Sequence, residues 1–454
     1  MNKNRLTFRL LAGVIVVAII LLLFHEIKST PVNQRTELCG LCGESVSVSE
    51  CTDAQQVHLL LTEMPANGSQ SLVTRTQAQT VETHRLERMS DPCPEHQCPL
   101  TGYYVHIAHN STTQLIARFN ISANMLPLHT PIEPERPKKH LLTACVSPLM
   151  FYVDWENLIE FAEMWTDAGM QQLHVYWMSM SPDVMHVLRL YELEGVVSLH
   201  EWPRMPHNAS EQLIMYGQLV SYHDCLLRNR LTATWTAFMD LDELITVRQS
   251  SNFKSVPEYL NQLPFDVGAL YFQSLMAYPP WQRNNTPIAL SQFTLDYLKA
   301  LPMETKTRVL QKLIVRPHVV TRLQVHYLLA MDVGYRAIAV NSSDVILVHV
   351  RKPHRTRHMN ETVVFRELSA GAQRAEAAWA ARLQRHAAFM NATTPLQRDV
   401  FQQVEDIVDE CLLKYYSSST CWSIARCHTH VANASAVMFI QPNSEWKIVD
   451  AFFG

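Results

Sequence analysis

Between Leu141 and Leu244, short apolar runs alternate with segments of helical periodicity, and this alternation constrains the fold more than any other feature of the chain. The strand-like runs are "LLTACVSPL", "LHVYWM", "VVSLHEW" and "TWTAFMDLDEL". Between the first two, "DWENLIEFAEMWTDAG" sets Trp155, Leu158, Ile159, Ala162 and Trp165 on one helical face, with Gly169 placed to cap it. "PDVMHVLRLYELEG" reads as a second helix, with Pro182 near its start and Gly195 at its end. "EQLIMYGQLVSYHDCLLRNR" reads as a third. Strands this short, separated by helices this long, build right-handed βαβ units and a mostly parallel sheet. The expected fold class is α/β, with the aromatic helix face turned to the core.

The flanks divide the remaining chain. Residues 1–9 read as a cytoplasmic tail and carry Lys3, Arg5 and Arg9, which precede fifteen unbroken apolar residues, Leu10 to Phe24. That run is short for a membrane span and long enough for a signal-peptide core. The following "HEIKST" lacks a small-x-small cleavage pattern, which favours an uncleaved signal anchor with the N-terminus in the cytosol. A short span suits the thin membranes of the early secretory pathway. Residues 25–50 are polar and stem-like, and 51–128 contain alternating stretches such as "GYYVHIAHN" that read as a small β-rich luminal region. Pro131, Pro134 and Pro137 with mixed charges make 129–140 a linker. The regular α/β pattern then occupies 141–365, and amphipathic helical segments fill a C-terminal extension, 366–454.

Nine Asn-x-Ser/Thr sequons all lie after the apolar run, as do all ten cysteines. Both features fit an oxidising lumen in which cysteines form a disulfide framework. Cys39 and Cys42 are separated by two residues but have no histidines at zinc-finger spacing, so zinc or redox chemistry is disfavoured. A net charge of −4 offers no electrostatic reason for a nucleic-acid partner.

The fourth strand-like run ends in Asp240, Leu241, Asp242 and Glu243. In a helix-covered parallel sheet, ligands bind beyond the carboxyl ends of the strands. Residues two apart on a strand point the same way, so Asp240 and Asp242 can face one cation while Leu241 packs oppositely. Hard oxygen donors suit Mg²⁺ or Mn²⁺, which can bridge a nucleotide diphosphate and stabilise it as a leaving group. The plainer reading is that both acids merely cap a turn.

These segments resemble glycosyltransferase family 92. The resemblance runs from about Ala144 to Lys352. Its most specific series is Asp224, Cys225, Leu226, Trp235, Asp240, Asp242 and Glu243. It implies a GT-A type, Rossmann-like catalytic domain, a UDP-sugar donor, a glycan acceptor, and a divalent metal held partly by Asp240 and Asp242. Characterised relatives transfer galactose with inversion, so the resemblance implies a galactosyltransferase. In such domains a late histidine often completes the metal site; His349 is the first choice and His326 the second, the latter also assigned to the donor. Val350 stands where the family often shows tyrosine between a histidine and an arginine.

Lys312 and Arg316 in "KLIVRP" are assigned to the donor diphosphate or acceptor, against a solvated strand face. Glu243 is assigned to the catalytic set, orienting a ligand or contacting sugar hydroxyls. The base that deprotonates the acceptor stays open among Asp266, Asp296 and Glu304. The expectation is a type II Golgi-membrane glycosyltransferase using Mn²⁺ or Mg²⁺. Its rivals are an inactive glycan-binding luminal protein and a metal-dependent hydrolase of nucleotide-sugars or phosphodiesters.

Overall fold

The computed structural model describes residues 139–442 apart from 203, 205–210, 212–213, 249, 280–285, 352–361, 388–395, 397–399, 417–422 and 436; before residue 139 it describes seven strands. The sequence-assigned tail, anchor and stem lie outside the described residues. Among the described residues, no helix is long and apolar enough to cross a membrane.

The seven strands are β1 (Gln55–Pro65), β2 (Ser71–Arg75), β3 (Val81–Arg85), β4 (Glu87–Arg88), β5 (Leu100–His109), β6 (Leu115–Phe119) and β7 (Leu126–Leu128). They form two antiparallel sheets, ordered β1-β5-β4 and β3-β2-β6-β7.

The α/β unit starts with β8 (His140–Leu149), α1 (Trp155–Asp167), β9 (Gln172–Trp177), α2 (Pro182–Leu193), β10 (Val197–Glu201), α3 (Gln218–Asn229) and β11 (Ala233–Phe238). Local chemistry explains the boundaries. The Asp154 side chain caps α1 by accepting from Asn157 N. Ser181 caps α2 with Pro182 in the first turn. Gly169 ends the first unit at φ +101°, and a Cβ there would lie 2.3 Å from Pro257 Cγ. The third helix begins later than its periodicity suggests: Met215, Tyr216 and Gly217 all take positive φ, so 214–217 is a separate kinked turn.

β8, β9, β10 and β11 are mutually parallel in the order β10-β9-β8-β11. Beyond β11 the sheet becomes mixed. The chain continues through β12 (Glu243–Val247), α4 (Val256–Asn261), β13 (Val267–Ala277) and β14 (Pro302–Val315). β15 (Val320–Leu323) and β16 (Leu328–Met331) pair with each other, and β17 (Arg336–Ala339), β18 (Val345–Val350) and β19 (Thr362–Val364) return to the main sheet. The full order is β10-β9-β8-β11-β14-β13-β18-β12, with β17 on β13 and β19 on β14. β14 is antiparallel to both β11 and β13.

Period-two alternation places the sheet between two apolar layers. Leu142, Ala144 and Val146 enter one, with Trp155, Trp165 and Tyr191 from α1 and α2. Cys145, between them in sequence, enters the other with Tyr222 and Phe238. All five residues of the expected aromatic helix face are buried. The C-terminal helices α5 (Arg366–Arg385), α6 (Val400–Tyr416) and α7 (His428–Ala434) add to these layers. Trp379 of α5 joins the first, while Val404 and Cys411 of α6 join the second. Arg382 of α5, buried, donates to Glu163 of α1 at 2.8 Å and also bonds Glu194 beyond α2.

Among the described residues two disulfides are present, Cys145–Cys225 and Cys411–Cys427, the first spanning 80 residues from β8 to α3. Cys39, Cys42 and Cys421 lie outside the described residues.

Candidate active site

After β8 the chain moves through α1 to β9 and then to β10, on one side of β8. It then returns through α3 to β11 on the other side. The carboxyl ends of β8 and β11 therefore flank a topological switch point, the position where open α/β sheets bind ligands. A cavity of about 370 Å³ opens there. Ser147 and Leu149 from β8 line it together with Asp240, Leu241 and Asp242.

The two aspartates stand in the turn after β11 rather than on the strand, which ends at Phe238. The Glu243 amide closes the turn on the Asp240 carbonyl at 3.1 Å, and the Asp240 amide donates to Glu243 Oε2 at 2.9 Å. Leu241 packs inward as expected, 7% exposed, leaving both aspartate side chains more than a third exposed. The turn thus faces two carboxylates one way without the strand pleat.

Glu243 opens β12 and sits directly opposite His349 of β18 in the antiparallel register. Register alone brings the acid and the histidine together across more than a hundred residues. Glu243 is buried, with His349 Nδ1 3.7 Å from Oε1 and Lys312 Nζ 3.4 Å from Oε2. Its own carbonyl accepts from Trp165 Nε1 at 2.7 Å. Burial, reinforced by Asp240 and Asp242, outweighs the cations and raises the Glu243 pKa to about 7.

Lys312 of β14 lies beneath the pair. It is 3% exposed, so it occupies no solvated strand face, and it donates to Asp240 Oδ2 at 2.6 Å. Burial opposes its charge, but Asp240, Glu243 and Tyr222 overcome that and hold the ammonium protonated. Burial likewise raises Asp240, yet Lys312, His349 and His326 bring its pKa below the ordinary aspartate value.

His349 Nε2 is 2.9 Å from Asp242 Oδ2, and Arg351 Nε lies 3.3 Å from the same ring nitrogen. Burial disfavours the imidazolium, but Asp242 and Glu243 more than compensate and its pKa is raised. Val350 lines the cavity, and its amide donates to the Asp242 carbonyl at 2.8 Å. The turn is therefore tied by main chain at the position where the family often carries tyrosine.

His326 hydrogen-bonds the Gln311 carbonyl through Nδ1 at 2.9 Å. Burial holds its pKa below the usual value, with Lys312 adding in the same direction. Arg316 is engaged elsewhere: it donates to the Val267 carbonyl and lies over the Trp235 ring at 4.3 Å, and none of its described contacts reaches the carboxylates. Asp224 and Cys225 also act as scaffold, Asp224 bonding Tyr176 and Arg228, and Cys225 bonding Cys145. None of Asp266, Asp296 and Glu304 lines the cavity; Asp266 pairs with Arg336 and Asp296 with Lys299.

Sequence reasoning missed several lining residues: Tyr152 and Asp154 from the β8–α1 connection, Asn157 in the first turn of α1, Arg351, and Phe401 with Glu405 of α6. Position after the first strand of the α/β unit could have flagged the first three.

The donors suit a hard divalent cation in part. Asp242 Oδ2 and His349 Nε2 are oxygen and nitrogen donors 2.9 Å apart, of the kinds a divalent cation can take, and they are bonded to each other here. Among the described residues, no three His, Cys, Asp or Glu groups are gathered closely enough to enclose an ion as they stand. Asp240 is drawn to Lys312, although a carboxylate can accept from a lysine and a cation together.

Fold and site together define an α/β protein with an acidic ligand crevice at the switch point of its sheet. The chain belongs to glycosyltransferase family 92, whose sequence profile matches residues 140–386, more than half of its length. It is similar to three glycosyltransferase family 92 proteins of Caenorhabditis elegans. One is 29% identical over 149 residues, covering 31% of this chain and 29% of the relative. A second is 22% identical over 263 residues, covering 55% and 50%, and a third 24% identical over 168 residues, covering 34% and 31%. The chain thus spans half or less of each of these relatives.

Proposed function

We propose that this chain is a metal-dependent glycosyltransferase. It transfers a hexose, galactose from UDP-galactose, with inversion to a hydroxyl of a glycan. The observation that carries the reading is the placement of Asp240 and Asp242 in the switch-point cavity of a family 92 domain.

Asp242 and His349, with Asp240, would hold Mn²⁺ or Mg²⁺, which when bound neutralises the donor diphosphate and stabilises its departure. The protein's own groups prepare that place. Lys312 fixes Asp240, Glu243 fixes the turn through the Asp240 amide, and Val350 fixes Asp242 by main chain. Arg351 supplies a guanidinium at the cavity, where it can bind phosphate oxygens. Transfer then forms the bond between the acceptor oxygen and the anomeric carbon while the bond to the diphosphate breaks, the diphosphate leaving with the electron pair and the hydroxyl proton passing to a carboxylate of the cavity.

Membrane anchoring through residues 10–24, with residues 1–9 in the cytosol and the chain after the anchor in the Golgi lumen, belongs to the same proposal. The apolar run, the sequons and the two disulfides support it.

The test is to incubate the purified full-length chain with a panel of UDP-sugars, Mn²⁺ and a glycan array. Product from UDP-galactose that disappears in Asp242→Ala, with thermal unfolding unchanged, supports the assignment. No turnover of any donor by the wild type refutes it and favours a glycan-binding role. Sugar release without transfer favours hydrolysis.

A further inference from the structure

α6 lies beyond the residues matched by the family profile, yet Phe401 and Glu405 line the same cavity as Asp240 and Asp242. They are four residues apart, so one helical turn stacks them on a common face. The helix is held from behind: Val404 and Cys411 are buried, and Cys411 is bonded to Cys427. Tyr152 and Asn157, whose side chains are hydrogen-bonded at 3.2 Å, line the same cavity.

Charge decides which part of a ligand can meet this wall. A carboxylate repels a diphosphate, which is drawn instead toward Arg351. An ionised carboxylate accepts hydrogen bonds only, and hydroxyl groups are donors that match it without bringing charge. An aromatic side chain one turn away offers an apolar surface to the C–H face of a ring. Acceptor oxygens beside an aromatic surface therefore fit a neutral polyhydroxylated ring.

Resting on the transferase reading above, we propose that Phe401 and Glu405 form a sugar-hydroxyl subsite contributed by α6. It engages the hydroxyls of a sugar ring, either the ribose of the donor nucleotide or the acceptor hexose. Recognition at this site then depends on a segment outside the matched domain.

The experiment uses the full-length chain, with Glu405→Gln as a near-isosteric probe and Phe401→Leu as a second. Calorimetry measures affinity for UDP and for its 2′,3′-dideoxy analogue, and steady-state kinetics measure the acceptor KM. If the ribose is bound, Glu405→Gln weakens UDP about tenfold and leaves the dideoxy analogue unchanged. If the acceptor is bound, UDP affinity holds while acceptor KM rises about tenfold with kcat nearly constant. In either case Phe401→Leu weakens the same ligand. Variants that match the wild type in both constants overturn the subsite. So does an equal loss for UDP and its analogue accompanied by a lowered Tm, which marks a structural role. A wild type that neither binds UDP nor transfers sugar removes the transferase reading itself, a result seen before any variant is made.

Discussion

Replacing Lys312 by methionine keeps the length of the side chain and removes the one cation that lies between Asp240 and Glu243 in the described contacts. At separations of 2.6 and 3.4 Å, an effective dielectric of ~20 gives gross attractions of ~6 and ~5 kcal/mol. Both figures overstate the loss. Asp240 is 38% exposed, so water screens much of its share, and burying the ammonium costs several kcal/mol that methionine does not incur. Glu243, 2% exposed, is screened little, but its pKa is already about 7, so without Lys312 it can shed the charge by taking up a proton. Breaking a buried pair on one side costs ~3–5 kcal/mol, and because Glu243 can neutralise by protonation the expected destabilisation of Lys312→Met at pH 8 is at the lower end, about 3 kcal/mol. Urea denaturation in metal-free buffer measures it. A double-mutant cycle with Glu243→Gln locates its source. If the stranded Glu243 charge dominates, the double variant recovers ~2 kcal/mol relative to additivity. A Lys312→Met protein within about 1 kcal/mol of wild type, or strictly additive variants, would refute the claim that Lys312 neutralises this acidic pair.

Two further outcomes are expected from the described contacts. Glu194 is raised by burial but lowered more by Arg385, Arg382 and His386, so its folded pKa lies below the ordinary value of 4.5. Its contribution is therefore full above that value and disappears as pH falls through the depressed folded pKa, so the stability gap between wild type and Glu194→Gln, about 1–3 kcal/mol near neutrality, closes in acid. Chemical denaturation across pH checks the sign. Trp165→Phe deprives the buried Glu243 carbonyl of its indole donor at 2.7 Å and is expected to cost about 1–3 kcal/mol in the same assay.

Much of the first half of the α/β unit was legible because its signals are local. Trp155 to Trp165 show a helical stripe, Ser181 and Pro182 announce a helix start, and Val146, Val175 and Phe238 lie in runs of strand character. Local signals also misled where backbone conformation overrode periodicity, as at Met215, Tyr216 and Gly217. The same held where a strand ended two residues before its first acid. Beyond β11, legibility falls because the pairs are distant and their direction changes. Nothing in "QKLIVRP" shows that Lys312 points beneath a turn 72 residues earlier. The charge was visible, but its burial was not. Glu405 was less legible still, since an amphipathic pattern reveals a face of α6 without revealing which cavity it borders.

The bond between Cys145 and Cys225 has a consequence for how preparations of this protein are read. Cys145 stands on the strand whose end forms one bank of the crevice, and Cys225 on the helix that leads into the strand forming the other. The link therefore joins the two chain segments whose divergence creates the crevice. Its 80-residue separation means that the unbridged chain must close that loop by folding alone, a difference of about 4–5 kcal/mol in chain entropy. Material made in a reducing cytosol would carry loosened banks with every acidic side chain still present. Inactivity in such material would report the missing bridge, and restoration on oxidation would separate a failure of assembly from a failure of chemistry.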